Sequence, residues 1–190
     1  MTSTPQTRPN WPDFRHFRPA PATASALSVA VAALLVLIKL YATVVSGSSS
    51  VLASMTDSGL DLVASLVTFF AVRYAKTPPD KEHPFGHGKA EAFSALFQAG
   101  LVFASAALVM QACVRHLMHP EPLQQTGLAV AVLIVSIVLT LGLVSFQNMA
   151  LRGAQSVAVS ADRMHYLTDL VTNLIALAGV AAAILGFPAM

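Results

Sequence analysis

Four side chains able to hold a metal ion stand in two pairs with one spacing. Asp57 and Asp61 lie four apart in SVLASMTDSGLDLVASLV, as do His165 and Asp169 in SADRMHYLTDLVTNLI. On an α-helix that spacing puts both members of a pair on one face, and Asn173 extends the second face by a turn. Three carboxylates and one imidazole suit tetrahedral Zn²⁺, and also Cd²⁺, Fe²⁺ or Co²⁺. The imidazole argues against Mg²⁺ and Ca²⁺, which prefer all-oxygen sites, and favours Zn²⁺, Cd²⁺ or Fe²⁺ over Mn²⁺.

The surroundings of these groups are apolar. The 190 residues are 55% hydrophobic and 11% charged, with a mean hydropathy of +0.67, against about 25% charged in soluble domains. So few charges could not clothe a globule in water; the better solvent is lipid. Five stretches, roughly 23–46, 51–74, 92–114, 127–150 and 157–187, reach the ~20 apolar residues that a spanning helix needs. Backbone groups in lipid must be satisfied internally, so these runs should be helices, and the alternating strands of a barrel are missing from the pattern. The expected fold is an all-α integral membrane protein, a five-helix bundle over 23–190 after an N-terminal tail, 1–22. A Gly/Ser turn (Ser46–Ser50), a His-rich loop (Lys76–Glu91), a Pro-containing loop (Arg115–Thr126) and a basic joint (Leu151–Ser156) should connect them.

Orientation follows from the basic residues. Arg8, Arg15, Arg18, Arg73, Lys76, Lys81, Lys89, Arg152 and Arg163 fall on one side, Arg115 alone on the other, and Lys39 within the first helix. The N-terminus and the His-rich loop are thus expected in the cytoplasm. The first apolar run is too long for a signal peptide and no small-residue cleavage site follows it, so it should be a retained span. Five helices leave the C-terminus outside, where Phe187-Pro188-Ala189-Met190 reads as the abrupt end of a truncated chain. Cys113, the one cysteine, excludes a disulfide framework and a cysteine-based zinc site. No basic run of the kind nucleic-acid binding uses is present.

An ionisable group at bilayer depth costs at least roughly 2.5–3.5 kcal/mol, so four in two helices demand compensation. At 1.5 Å per residue, Asp57 and Asp61 should lie roughly 9 and 15 Å below the outer face, and His165 and Asp169 roughly 12 and 18 Å above the inner one. In a core about 30 Å thick those depths overlap, so two antiparallel helices can bring all four to one point. The bland alternative is that the acids line water or pair with Lys39, yet one lysine cannot neutralise three acids, and Lys39 could instead snorkel outward. Fully deprotonated, the four groups carry −3, and a divalent ion leaves −1. An empty site should therefore take up protons, with His165 as natural carrier, and metal binding should release them. That is the behaviour a proton-coupled antiporter needs.

In the loop, Asp80, His83 and His87 are spaced so that one or two could hold a second, more exposed metal, with Glu82 as an extra ligand. Alternatively both histidines are solvated, while Gly86 and Gly88 only shape the approach to the third helix. His116 and His119, with Glu121 nearby, read as solvated. Gln98, Ser145 and Gln147 could line a path or join helices by hydrogen bonds. The tail, with Phe14, His16 and Phe17, reads as flexible or interfacial.

Three motifs in order, DSGLD, HPFGHGKAEAFSAL and ADRMHYLTD, from about Leu27 to the end of the chain, resemble the cation diffusion facilitator family, above all its bacterial zinc and ferrous-iron efflux branch. The resemblance implies a membrane site at Asp57, Asp61, His165 and Asp169 and a loop site at Asp80, His83 and His87. It implies a homodimer in the bacterial inner membrane that exports Zn²⁺ or related ions in exchange for protons, with no prosthetic group. The family's sixth helix and cytoplasmic metal-binding domain have no counterpart in these 190 residues, which leaves open a non-transporting, metal-binding subunit. An intramembrane metalloenzyme is the rival from another class. The chain has no HExxH, and four ligands would fill the shell that a catalytic zinc keeps open; an enzyme is not expected.

Overall fold

A computed structural model describes residues 19–46, 49–118 and 126–184. Within them the chain forms five helices: α1 (Pro21–Ser46), α2 (Ser49–Tyr74), α3 (Lys89–Met118), α4 (Thr126–Leu151) and α5 (Val157–Ile184). All five are long and apolar enough to cross a membrane, and no strand occurs among the described residues. The tail up to residue 18, His119, Glu121 and the closing Phe187–Met190 lie outside the described residues, as do the side chains of Cys113 and His116.

The helices overrun the expected spans mainly at their polar ends. Helix α2 begins at Ser49, inside the expected Gly/Ser turn, and α3 runs from Lys89 to Met118, taking residues from the loops on both sides. Hydropathy marks where lipid begins, whereas helical hydrogen bonding continues until a capping residue or turn interrupts it. Helix α1 starts with Pro21, whose missing N–H costs nothing at a first helical position. At the head of α5, Ser156 Oγ accepts from the Val159 amide at 3.2 Å and donates to Glu91 Oε2 of α3 at 2.7 Å. Glu91 thus places a carboxylate where the α5 dipole is positive.

The bundle is inverted relative to a soluble protein. Leu37, Phe103 and Ile175 are 62%, 78% and 67% exposed, while Ser25, Ser28, Thr68, Gln98, Gln147 and Asp162 are buried. Lipid is as apolar as leucine, so helices associate through small residues and hydrogen bonds. Ala24, Ala150 and Ala158 pack with Val72 and Val159 in one cluster, and Leu143, Val144 and Tyr166 form another. Helix α1 packs on α2 and α4, and α5 on α2, α3 and α4. Contact between α2 and α5 is what the metal-ligand pairs require.

Asp162 ties most of the bundle together. Its Oδ1 accepts from Gln98 Nε2 of α3 at 2.9 Å, its Oδ2 from Gln147 Nε2 of α4 at 2.8 Å, and Ser28 of α1 adds a hydroxyl. Gln98 Nε2 also reaches Thr68 Oγ1 of α2 at 3.0 Å. Of the three polar residues that sequence left between path and packing, Gln98 and Gln147 join helices, whereas Ser145 is exposed. Hydrogen bonds to a charged group contribute about 1.5–3 kcal/mol. Gln147→Leu should therefore lower stability by about 2 kcal/mol in a denaturing-detergent titration, while Ser145→Ala should stay within about 0.5 kcal/mol of the parent.

Candidate metal centre

Helix α2 presents Asp61, and α5 presents His165 with Asp169 one turn on. His165 Nε2 lies 2.9 Å from Asp61 Oδ1 and 3.6 Å from Asp169 Oδ2, and one ligand atom from each of the three falls within 4.8 Å of the others. Asp61 and His165 are buried and Asp169 half-buried. A tetrahedral ion with bonds of about 2.0–2.2 Å sets its ligands about 3.3–3.6 Å apart; the His165–Asp169 distance matches this, while His165 and Asp61 stand at hydrogen-bond distance. Asp169 Oδ2 is buried without a hydrogen-bond partner, as is His165 Nδ1, so the cluster retains unused ligating capacity. Tyr166, next to His165, crosses to α2 through Ser65 Oγ at 2.7 Å and holds the two helices together one turn from Asp61.

Asp57 stands apart from this trio. It lies one turn from Asp61 toward the Ser49 end of α2 and is exposed, with the Ser105 hydroxyl of α3 as a partner. The structure thus brings together Asp61, His165 and Asp169, and leaves Asp57 at the mouth of the cluster. Lys39 does not snorkel, and among the described residues it takes no acid as hydrogen-bond partner. It is buried and donates to Ser58 Oγ at 2.6 Å and to the Ser54 carbonyl at 3.2 Å, both on α2.

Asp162 is the residue that sequence reasoning passed over. It stands three before His165 in ADRMHYLTD, but nothing in the local pattern names its partners on other helices.

The loop between α2 and α3 gathers a second group. Asp80 Oδ1 accepts from the amides of His83 at 2.6 Å and Glu82 at 3.0 Å. The His83 amide bond, foremost, holds the Asp80 carboxyl below the usual carboxylate range. His83 Nδ1 and His87 Nε2 each lie 3.3 Å from an Asp80 oxygen. Gly86 adopts φ +78°, a left-handed conformation that glycine tolerates without strain, and its amide closes a turn on the His83 carbonyl at 2.9 Å. The glycine thus shapes the approach to α3 and in doing so turns His87 back under Asp80. His87 is buried, packed edge-on against Tyr74, and its Nδ1 lies 3.3 Å from the Thr77 carbonyl. With the Nδ1 proton on that carbonyl, Nε2 presents its lone pair toward Asp80, the orientation a metal ligand needs. The Glu82 carboxylate is not part of this group.

Five helices long and apolar enough to cross a membrane define a polytopic membrane protein. Residues 25–189 match the model of the cation efflux transmembrane domain; the chain belongs to the cation efflux family. It is 44% identical over 150 residues to a cation-efflux pump FieF of Klebsiella pneumoniae, covering 79% of this chain and 50% of that one. The Shewanella oneidensis FieF pump is 47% identical, with 79% and 51% covered. The Yersinia enterocolitica FieF pump is 44% identical over 165 residues, with 86% and 55% covered. The chain spans about half the length of these curated relatives, which are named as pumps rather than enzymes.

The two amide bonds to Asp80 need its carboxylate ionised. A group with a lowered carboxyl pKa stabilises its fold above the unfolded value and loses that contribution as pH falls through the folded one. The Asp80 turn should therefore hold until pH falls below the usual carboxylate range. Asp80→Asn should weaken Zn²⁺ binding by the loop at pH 7.5, read by chelator competition.

Proposed function

We propose that this chain is the membrane part of a divalent-metal efflux transporter that exchanges the metal for protons by alternating access. The observation that carries the reading is His165 Nε2, buried between Asp61 and Asp169 at 2.9 and 3.6 Å. A nitrogen–oxygen donor set of this kind favours Zn²⁺, with Cd²⁺ and Fe²⁺ next. Asp57, exposed one turn along α2, supplies the fourth ligand through a rotamer change or a small shift of that helix. The loop group of Asp80, His83 and His87 takes a second ion at the cytoplasmic face.

The exchange follows from the ligands. Metal binding requires ionised carboxylates and a neutral imidazole, so loading the site expels protons, and protonation expels the metal. Both α2 and α5 carry ligands, so a change in their packing against the other helices opens the site to one membrane face and then to the other. The nearness of the chain to bacterial efflux pumps supports export across the inner membrane, and a homodimer is the working assembly.

The test is Zn²⁺ flux into proteoliposomes under an imposed pH gradient. The parent should carry Zn²⁺ in proportion to the gradient, and His165→Ala should abolish flux while leaving loop-site binding intact. Zn²⁺ bound at the membrane site with no flux at any gradient would instead make the chain a metal-binding subunit.

A further inference from the structure

Lys39 has no assigned task in this scheme, yet its setting is specific. It sits seven residues from the end of α1 at Ser46, about 10 Å along the axis, and is 7% exposed. The ammonium is held on α2 by the Ser58 hydroxyl at 2.6 Å and the Ser54 carbonyl at 3.2 Å. Both acceptors are neutral. Ser58 adjoins Asp57 and precedes Asp61 by one turn, so the cation is fixed to the helix that carries both acids. The acids whose charge reaches it are Asp61, Asp57 and, from α5, Asp169. The carboxylate oxygens therefore stay available to a metal while a positive charge stands beside them.

We propose that Lys39 is the fixed countercharge of the membrane metal site and sets how tightly that site holds a divalent ion. The inference rests on the metal site proposed above. Three ionised carboxylates and a neutral imidazole carry −3; a divalent ion reduces this to −1, and the ammonium brings the loaded site to neutrality. A monovalent cation would leave a net charge in the bundle, where uncompensated charge is costly. With divalent cargo, Lys39 thus leaves the loaded site neutral. It also repels that cargo, and a transport site must bind weakly enough to let go. A lysine hydrogen-bonded to serines rather than to the acids meets both needs without occupying a ligand.

The sign of the effect separates this role from a structural one. A lysine that merely clips α1 to α2 would, when removed, loosen the site and weaken binding. A countercharge, when removed, tightens it. The full chain in nanodiscs, carrying His83→Ala and His87→Ala to silence the loop, is titrated with Zn²⁺ at pH 8 against a chelator dye. Lys39→Met should lower the dissociation constant by about tenfold, the scale of a unit charge near a divalent ion at intermediate dielectric. In liposomes it should lower KM and kcat together, because release slows. Lys39→Arg should keep the parent affinity. Should Lys39→Met fail to fold, Lys39→Gln, uncharged but still able to donate to Ser58, is read in the same way. Unchanged or weaker binding in the uncharged variant overturns the countercharge. A parent that binds no Zn²⁺ overturns the metal site itself, and the countercharge with it.

Discussion

Charge placed in a lipid-facing bundle must be compensated from within, and the contact of His165 with Asp61 is where this chain meets that constraint. The two residues come from different helices, and their 2.9 Å approach fixes the relative depth of α2 and α5. Ser65 and Tyr166 repeat the same pairing one turn on. Helices surrounded by lipid gain little from burying leucine, so such polar contacts determine which faces meet.

A second polar centre supports the first. Asp162 collects donors from Gln98 and Gln147 and anchors the beginning of α5 against α3 and α4. Further down, Ser156 and Glu91 tie the head of α5 to the first turn of α3, the helix that follows the loop histidines directly. The three tiers along α5, at Ser156, Asp162 and His165, run from the loop end of the bundle to the metal cluster. Each joins a carboxylate to groups from another helix, Glu91 half-buried and Asp162 and Asp61 buried. Helix α5 is therefore braced by polar bonds along the half that leads to the site, whereas its outer half offers mostly apolar residues such as Ile175 to lipid.

Much of this was legible in the residues themselves. Hydropathy located all five helices because a spanning segment is long and compositionally distinct, and it erred only at ends such as Ser49 and Lys89, where polar residues continue a helix beyond the apolar core. The i, i+4 spacing put Asp61 beside His165 and Asp169 through simple depth matching. That spacing says nothing of rotation or of which carboxylate points outward, and Asp57 shows the gap: it shares a face with Asp61 in sequence but is exposed in the fold. Asp162 escaped, and Lys39 was read only as a partner of the acids or a snorkelling cation, because their partners Gln98, Gln147 and Ser58 lie on other helices that no local pattern names. His87 was visible as a histidine; its burial against Tyr74 was not, since that depends on the left-handed turn at Gly86.

The central claim is that a metal ion sits between α2 and α5 with one imidazole and several carboxylates around it. X-ray absorption at the zinc K-edge tests it most directly, on the membrane-embedded chain with the loop histidines replaced by alanine and one equivalent of Zn²⁺ added. The account predicts a four-coordinate shell of one nitrogen and three oxygens at about 2.0–2.2 Å, with the imidazole scattering lost in His165→Ala. A six-coordinate all-oxygen shell, or a spectrum indifferent to His165, would contradict it.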